Sequence, residues 1–172
     1  SLAECLRAVE QSGVPIVSIA GGEPTMYRRL PELIAELVRR RRFVYCCTNA
    51  LLMERVLKKV APSKYLCWVV HLDGMEAKHD ESVDRKGVFK KAIKAIEVAL
   101  DRGYRVCTNT TVFRNCDVED VWEMFRMVGE IGVEGSMISP GYEFEAAPDQ
   151  DLFLSRGESH ALFRKLLDPV KT

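Results

Sequence analysis

The sequence predicts an α/β domain built on a parallel sheet, and three observations carry that prediction. Apolar runs of strand length alternate with amphipathic stretches at roughly thirty-residue intervals, as βα units require. Each run closes on polar residues, so every strand has one chemically distinct end. A hydrophobic share of 47% over 172 residues is enough to fill one core. About five βα units in this order fit part of a TIM-like barrel, and an open doubly wound sheet also meets the pattern. Both architectures bind ligands at the carboxyl ends of their strands.

Leu2, Leu6 and Val9 mark a first amphipathic helix, which Gly13 ends before a strand from Val14 to Ala20. Leu30, Leu33, Ile34, Leu37 and Val38 predict a helix from about Leu30 to Arg41. Its basic end, Arg39 to Arg42, reads either as cations on the negative end of a helix dipole or as a handhold on anionic lipid. A strand from Phe43 to Cys47 follows, then a helix from about Leu51 to Val60 that Pro62 breaks. The strand from Tyr65 to Leu72 leads into KHDESVDRKG, read as a solvated loop in which His79 and Asp80 have weak site claims. A helix from about Val88 to Arg102, capped by Gly103, precedes a strand from Tyr104 to Val112. The last unit is a helix of about Val118 to Gly129 and a strand from Val133 to Ile138. A loop-helix segment from about residue 140 ends in a helix containing Phe163 and Leu166.

The composition removes several function classes. Twenty-five basic and twenty-five acidic residues give a formal net charge of zero, which offers no field for gathering nucleic acid. No run of eighteen apolar residues could span a bilayer, and SLAECLRAVEQSG lacks the layout of a signal peptide, so a cytoplasmic chain is expected. Six cysteines, Cys5, Cys46, Cys47, Cys67, Cys107 and Cys116, lack the spacing of a disulfide framework and are read as free thiols.

Chemistry concentrates at the strand ends. Gly21 and Gly22 let a ligand approach bare main chain, Glu23 adds a fixed anionic acceptor, and Pro24 stiffens the turn. Together they read as a seat for an ammonium group, the plainer alternative being an ordinary strand-to-helix turn. His71 and Asp73 project to the same side of their strand, as do Asn109 and Thr111 of the next, while Thr48 and Asn49 close the strand before. Asn offers donor and acceptor together, which suits ribose or adenine edges, although turn formation also accounts for Asn49. Met137 and Ile138 could lie against an adenine ring or simply fill the core. Cys46 and Cys47 must point to opposite faces, so only one thiol can serve a site.

AGGEP at a strand end resembles the second-strand motif of radical S-adenosylmethionine (radical SAM) enzymes. More narrowly, SIAGGEPTM, CTNALLM, HLDGMEAKHDESV and ISPGYEFEAAPDQDLFL, in that order, resemble the adenosylhopene synthases of hopanoid biosynthesis. The resemblance implies the second to sixth strands of a six-stranded partial barrel, over residues 1–172. It implies two cofactors, SAM and a 4Fe-4S cluster. The CxxxCxxC segment that holds three irons in such enzymes is absent from the sequence, so its ligands are expected upstream, and no metal ligand is assigned here. This chain by itself is therefore expected to be inactive.

The same resemblance assigns Gly21, Gly22, Glu23, Pro24, Thr48, Asn49, His71, Asp73, Asn109, Thr111, Met137 and Ile138 to the cofactor. In related enzymes the position of His71 commonly carries a serine. The implied reaction adds a 5′-deoxyadenosyl radical to the alkene of hopene, giving adenosylhopane. Cys47, nearest the functional end of its strand, is the candidate hydrogen-atom donor to the resulting carbon radical, the alternative being a small buried hydrophobe. Tyr142 and Phe144, with Phe153, would suit the rigid hydrocarbon rings of a triterpenoid, or plug the barrel end. A flavodoxin or ferredoxin is the expected electron donor, and a lipid substrate implies peripheral membrane contact. A radical SAM enzyme for another lipid or a peptide, and a non-catalytic SAM-binding barrel, are the alternatives.

Overall fold

The computed structural model of the chain describes residues 1–142 and 152–167. Its sheet consists of β1 (Ile16–Ile19), β2 (Phe43–Thr48), β3 (Leu66–His71), β4 (Arg105–Val112) and β5 (Ser136–Pro140). All neighbours are parallel and the spatial order is the chain order, β1-β2-β3-β4-β5. A doubly wound sheet would reverse direction at a switch point. Continuous winding instead makes a curved barrel wall, which settles the architecture the sequence left open.

Helices α1 (Leu2–Ser12), α2 (Leu30–Arg39), α3 (Met53–Leu57), α4 (Glu76–Ser82), α5 (Val88–Asp101), α6 (Val118–Ile131) and α7 (Arg156–Leu166) connect and follow the strands. The apolar stripes of α2, α5 and α6 pack on one face of the sheet, where Ile34, Leu37, Ile96 and Met124 meet Val44, Cys46, Trp68, Val70 and Val106. Full burial of each such side chain contributes roughly 1.5–3 kcal/mol. Because strand side chains alternate, that packing sends Tyr45, Cys47, Val69, His71, Cys107, Asn109 and Thr111 to the opposite, concave face. In β4 the alternation is complete, with Val106, Thr108, Thr110 and Val112 buried and the residues between them half-buried.

Several boundaries differ from the sequence expectation. The charged stretch after β3 is no open loop, for Glu76–Ser82 forms α4 and His79 is buried beneath it. Asp80 faces the start of α5, where its carboxylate accepts from the N–H groups of Gly87 and, at 2.9 Å, Phe89. These bonds replace the side-chain cap that Gly87 cannot supply. The helix expected over Leu51–Val60 contracts to Met53–Leu57, because Ala50 takes φ 64° and leaves the strand through a turn. Strand β5 begins only at Ser136, since Val133 turns back to pack on the core. The basic end of α2 is largely consumed internally: Arg39 pairs with Glu36 at 2.8 Å, Arg40 with Glu10 and Glu36, and Arg42 donates to the Gly13 carbonyl.

Candidate functional site

Glu23 forms the keystone of the strand-end face. Its Oε1 accepts from Thr25 N at 2.9 Å, Thr25 Oγ1 at 2.5 Å and Thr48 Oγ1 at 2.8 Å, while Oε2 accepts from Asn49 N at 2.7 Å. One carboxylate thus ties the turn after β1 to the end of β2. A carboxylate offers about four lone-pair sites, two on each oxygen, so the single bond at Oε2 leaves it able to accept another donor. Gly21 at φ 94° and Gly22 at φ 48° lie beside it in the left-handed region, and a Cβ on either would meet nothing within 4 Å. The main chain is therefore bare next to a fixed anion. That anionic acceptor beside bare main chain fits the ammonium end of an amino acid.

The concave face carries polar residues in register. Cys47 lies across from Val69, and Val69 from Cys107. One step nearer the strand ends, His71 aligns with Asn109 and Asn109 with Met137, and Thr111 aligns with Ser139 beyond them. Cys47 Sγ is 3.8 Å from Ser18 Oγ of β1. Its neighbour Cys46 is wholly buried under the helices, and burial pushes that thiol's pKa far up. Lower on the wall, Cys67 and Cys107 bring their sulfurs to 3.5 Å.

His71 and Asp73 form the second polar cluster. His71 Nε2 is 2.9 Å from Asp73 Oδ2, which also accepts from Ser82 Oγ at 3.0 Å, and Asp73 Oδ1 accepts from Thr111 N at 2.9 Å. Burial works to raise the Asp73 pKa, but the bonds from His71, Thr111 and Ser82 outweigh it and hold the carboxyl below the usual aspartate range. Behind it, buried His79 accepts from Asp73 N through Nδ1 at 3.2 Å. Burial first, then the nearby His71, lowers the His79 pKa, so the ring stays neutral. A hollow of about 420 Å3 opens beyond Asp73, lined among others by Ser82, Thr111, Asn115 and Leu152.

These clusters bring most of the sequence-predicted residues to one edge. Gly21, Gly22, Glu23, Thr48, Asn49, His71, Asp73, Asn109 and Thr111 all lie at or near strand ends on that side. Pro24 opens a short 3-10 turn and is buried. Thr48 is also buried, and it holds Ala50 N at 3.0 Å besides bonding Glu23. Asn49 uses Oδ1 to accept from Leu51 N at 3.1 Å, so its side chain shapes the turn. Ile138 is a correction: it packs toward the helices with Val112 and Val121, whereas Met137 lies on the concave face and is 41% exposed. Adjacent strand residues cannot share a face, so only Met137 could meet a ring there. Tyr142 stands exposed beyond β5, the Phe153 ring meets that of Phe113 at a tilt with centroids 6.1 Å apart, and Phe144 lies outside the described residues.

Sequence reasoning missed Thr25, Ser82 and Ser18 as partners of the site, and it gave His79 only a weak claim within a solvated loop. Only Thr25 carried a signal, being two residues past Glu23 in a turn. Among the described residues no group of three or more His, Cys, Asp or Glu side chains could hold a metal ion, so they do not fit an iron-sulfur cluster. Nor, among them, is any helix long and apolar enough to cross a membrane.

Comparison with known proteins gives these features a context. The family model described as the radical SAM superfamily matches residues 1–128. The chain is 30% identical over 119 residues to the Fe-coproporphyrin III synthase of Methanosarcina barkeri, covering 69% of this chain and 30% of that protein. It is 25% identical over 169 residues to a probable GTP 3′,8-cyclase of Pyrococcus horikoshii, covering 96% of this chain and 54% of the relative. The chain thus spans about half or less of the length of these relatives. Among solved structures, Streptococcus suis SuiB bound to its precursor peptide SuiA aligns with a TM-score of 0.78 at 22% identity, over 97% of this chain and 38% of that one. That likeness is one of fold.

Proposed function

The chain belongs to the radical SAM superfamily, and from that membership we propose that it forms the SAM-binding barrel wall of an enzyme joining the adenosyl group to a hopene-type triterpenoid. The superfamily uses SAM and a 4Fe-4S cluster. The observation that carries the reading is the joining of the family-like blocks along one sheet edge: Glu23 of the first bonds Thr48 and Asn49 of the second, and Asp73 of the third accepts from Thr111 N of β4, which lies in register with Ser139 at the start of the fourth. Relatives named for GTP and coproporphyrin share the barrel, so the substrate is what the experiment must decide.

In this reading Glu23 Oε2 accepts from the SAM ammonium, and the bare peptide groups of Gly21 and Gly22 approach the same end. Thr48 and Asn49 N hold that carboxylate in place. Asn109 and His71 face the adenosine portion, with Asp73 fixing the imidazole. When bound and reduced by one electron, SAM would supply a 5′-deoxyadenosyl radical. Cys47 then quenches the carbon radical left by addition to the alkene. Its S–H bond breaks homolytically, a tertiary C–H bond forms, and the remaining thiyl needs one electron and one proton. A flavodoxin or ferredoxin supplies that electron and solvent supplies the proton. Position alone separates addition from hydrogen abstraction, and about one ångström of misplacement is enough to change a rate a hundredfold.

The test is anaerobic incubation of the complete parent protein, reconstituted with iron and sulfide, with SAM, reductant and hopene, read by mass spectrometry. An adenosine–hopane adduct is expected. Deoxyadenosine without an adduct would reject hopene as substrate while keeping the superfamily chemistry.

A further inference from the structure

The turns that follow Glu23 and Asn49 continue outward into a surface unlike the rest of a chain whose charges sum to zero. Met26 is 71% exposed and Tyr27 is 38% exposed at its centre. They border a hollow of about 390 Å3 whose lining includes Arg28, Leu52, Arg55 and Lys59 and contains no carboxylate. A second hollow of about 320 Å3 shares Leu52 and Arg55 and adds Lys91 and Lys94, with Glu54 its one acidic residue. Among the described residues none of these cations is held in an ion pair; the nearby Arg29 is, with Glu32. An exposed thioether and phenol ringed by unpaired cations combine the two attractions of a membrane interface, apolar insertion and charge.

We infer that this patch, centred on Met26 and Tyr27 with Arg28, Arg55 and Lys59 around them, seats the protein on an anionic phospholipid surface. An acidic protein would also meet the cations and is the other outcome that the test separates; the lipid surface is assigned because Met26, 71% exposed, and Tyr27 project as an apolar tip among cations. At a bilayer the thioether and the ring enter the headgroup boundary while the cations stay at phosphate level. The location adds a consequence. Thr25, one residue from Met26, bonds the Glu23 carboxylate, so a lipid leaving the bilayer here arrives at the rim of the candidate site.

The inference deepens the lipid-substrate reading and rests on it for that consequence, yet vesicle binding requires neither SAM nor a cluster, so the two fail separately. Co-sedimentation of the chain with phosphatidylglycerol vesicles and with phosphatidylcholine vesicles is the measurement. Binding is expected on the anionic vesicles and is expected to fall with salt. Each cation removed should weaken it about fivefold, so the triple variant R28A/R55A/K59A should bind about a hundredfold less. Met26→Ser should cost about tenfold without changing the salt dependence. All four positions are exposed, and circular dichroism checks that the variants remain folded. Equal binding to both vesicle types, or a triple variant that binds as the parent does, would overturn the inference. So would a triple variant that loses only binding to an acidic carrier protein, which would assign the cations to a protein partner.

Discussion

Glu23 Oε1 accepts from Thr48 Oγ1 at 2.8 Å, so the ends of β1 and β2 are joined through a single carboxylate. Its second oxygen accepts from Asn49 N and has capacity for a further donor. Structure and binding are therefore coupled in one side chain.

Glu23→Gln tests that coupling. An amide nitrogen must oppose either Asn49 N–H or the threonine donors, and a donor left without an acceptor costs about 1–3 kcal/mol. For a chain of this size each kcal/mol lowers Tm by about 2–4 °C. In the complete parent protein, SAM affinity should fall by at least about tenfold, because a charge-assisted bond to the ammonium is lost. Thermal melts and calorimetric titration check both, and an unchanged Tm would contradict the bridging role.

Acid should weaken the fold in two steps. His79 has a folded-state pKa depressed by burial, so its contribution is complete above the unfolded value of about 6.5 and is lost as pH falls through the folded one. Asp73 is also depressed, so its contribution is complete above about pH 3.9 and disappears below that. Denaturant midpoints measured against pH should therefore slope downward on acidification in both windows. His79→Gln should flatten the upper window and Asp73→Asn the lower. Parallel curves for parent and variants would refute the assignment.

Gly74→Ala should be costly for a steric reason. A Cβ there would lie 2.3 Å from Asp120 Oδ2 and 3.0 Å from Lys78 Cβ. Asp120 would have to move, and its 2.8 Å bond from Met75 N would go with it. A loss of about 1–3 kcal/mol is expected by chemical denaturation; a neutral result would mean that the α4 and α6 ends do not pack as described.

The strands were readable because each is an apolar run too short for a helix and closed by polar residues. Whether they curl into a barrel wall was not, since spatial order is a tertiary property that only the β1-to-β5 sequence of neighbours reveals. Helix α4 escaped notice because His79 is its one buried side chain, which leaves no apolar period to detect. At the site, Glu23, Thr48 and Asp73 were legible as polar groups at strand ends. Of their partners, Thr25 had only its place two residues past Glu23 to mark it, and Ser82 had nothing, because a hydroxyl on a helix carries no sign of which carboxylate it will reach. Met137 and Ile138 show the remaining limit: alternation says they part, and only the packing of Ile138 on Val112 and Val121 says which one faces the helices.

The most direct test of the account is the reaction of the complete parent protein in D2O with SAM and hopene, read as the mass of the adduct. A thiol exchanges with solvent, so donation by Cys47 predicts one deuterium in the adduct and loss of the saturated product in Cys47→Ala. An adduct without deuterium, or the same saturated product from Cys47→Ala at an unchanged rate, would contradict it.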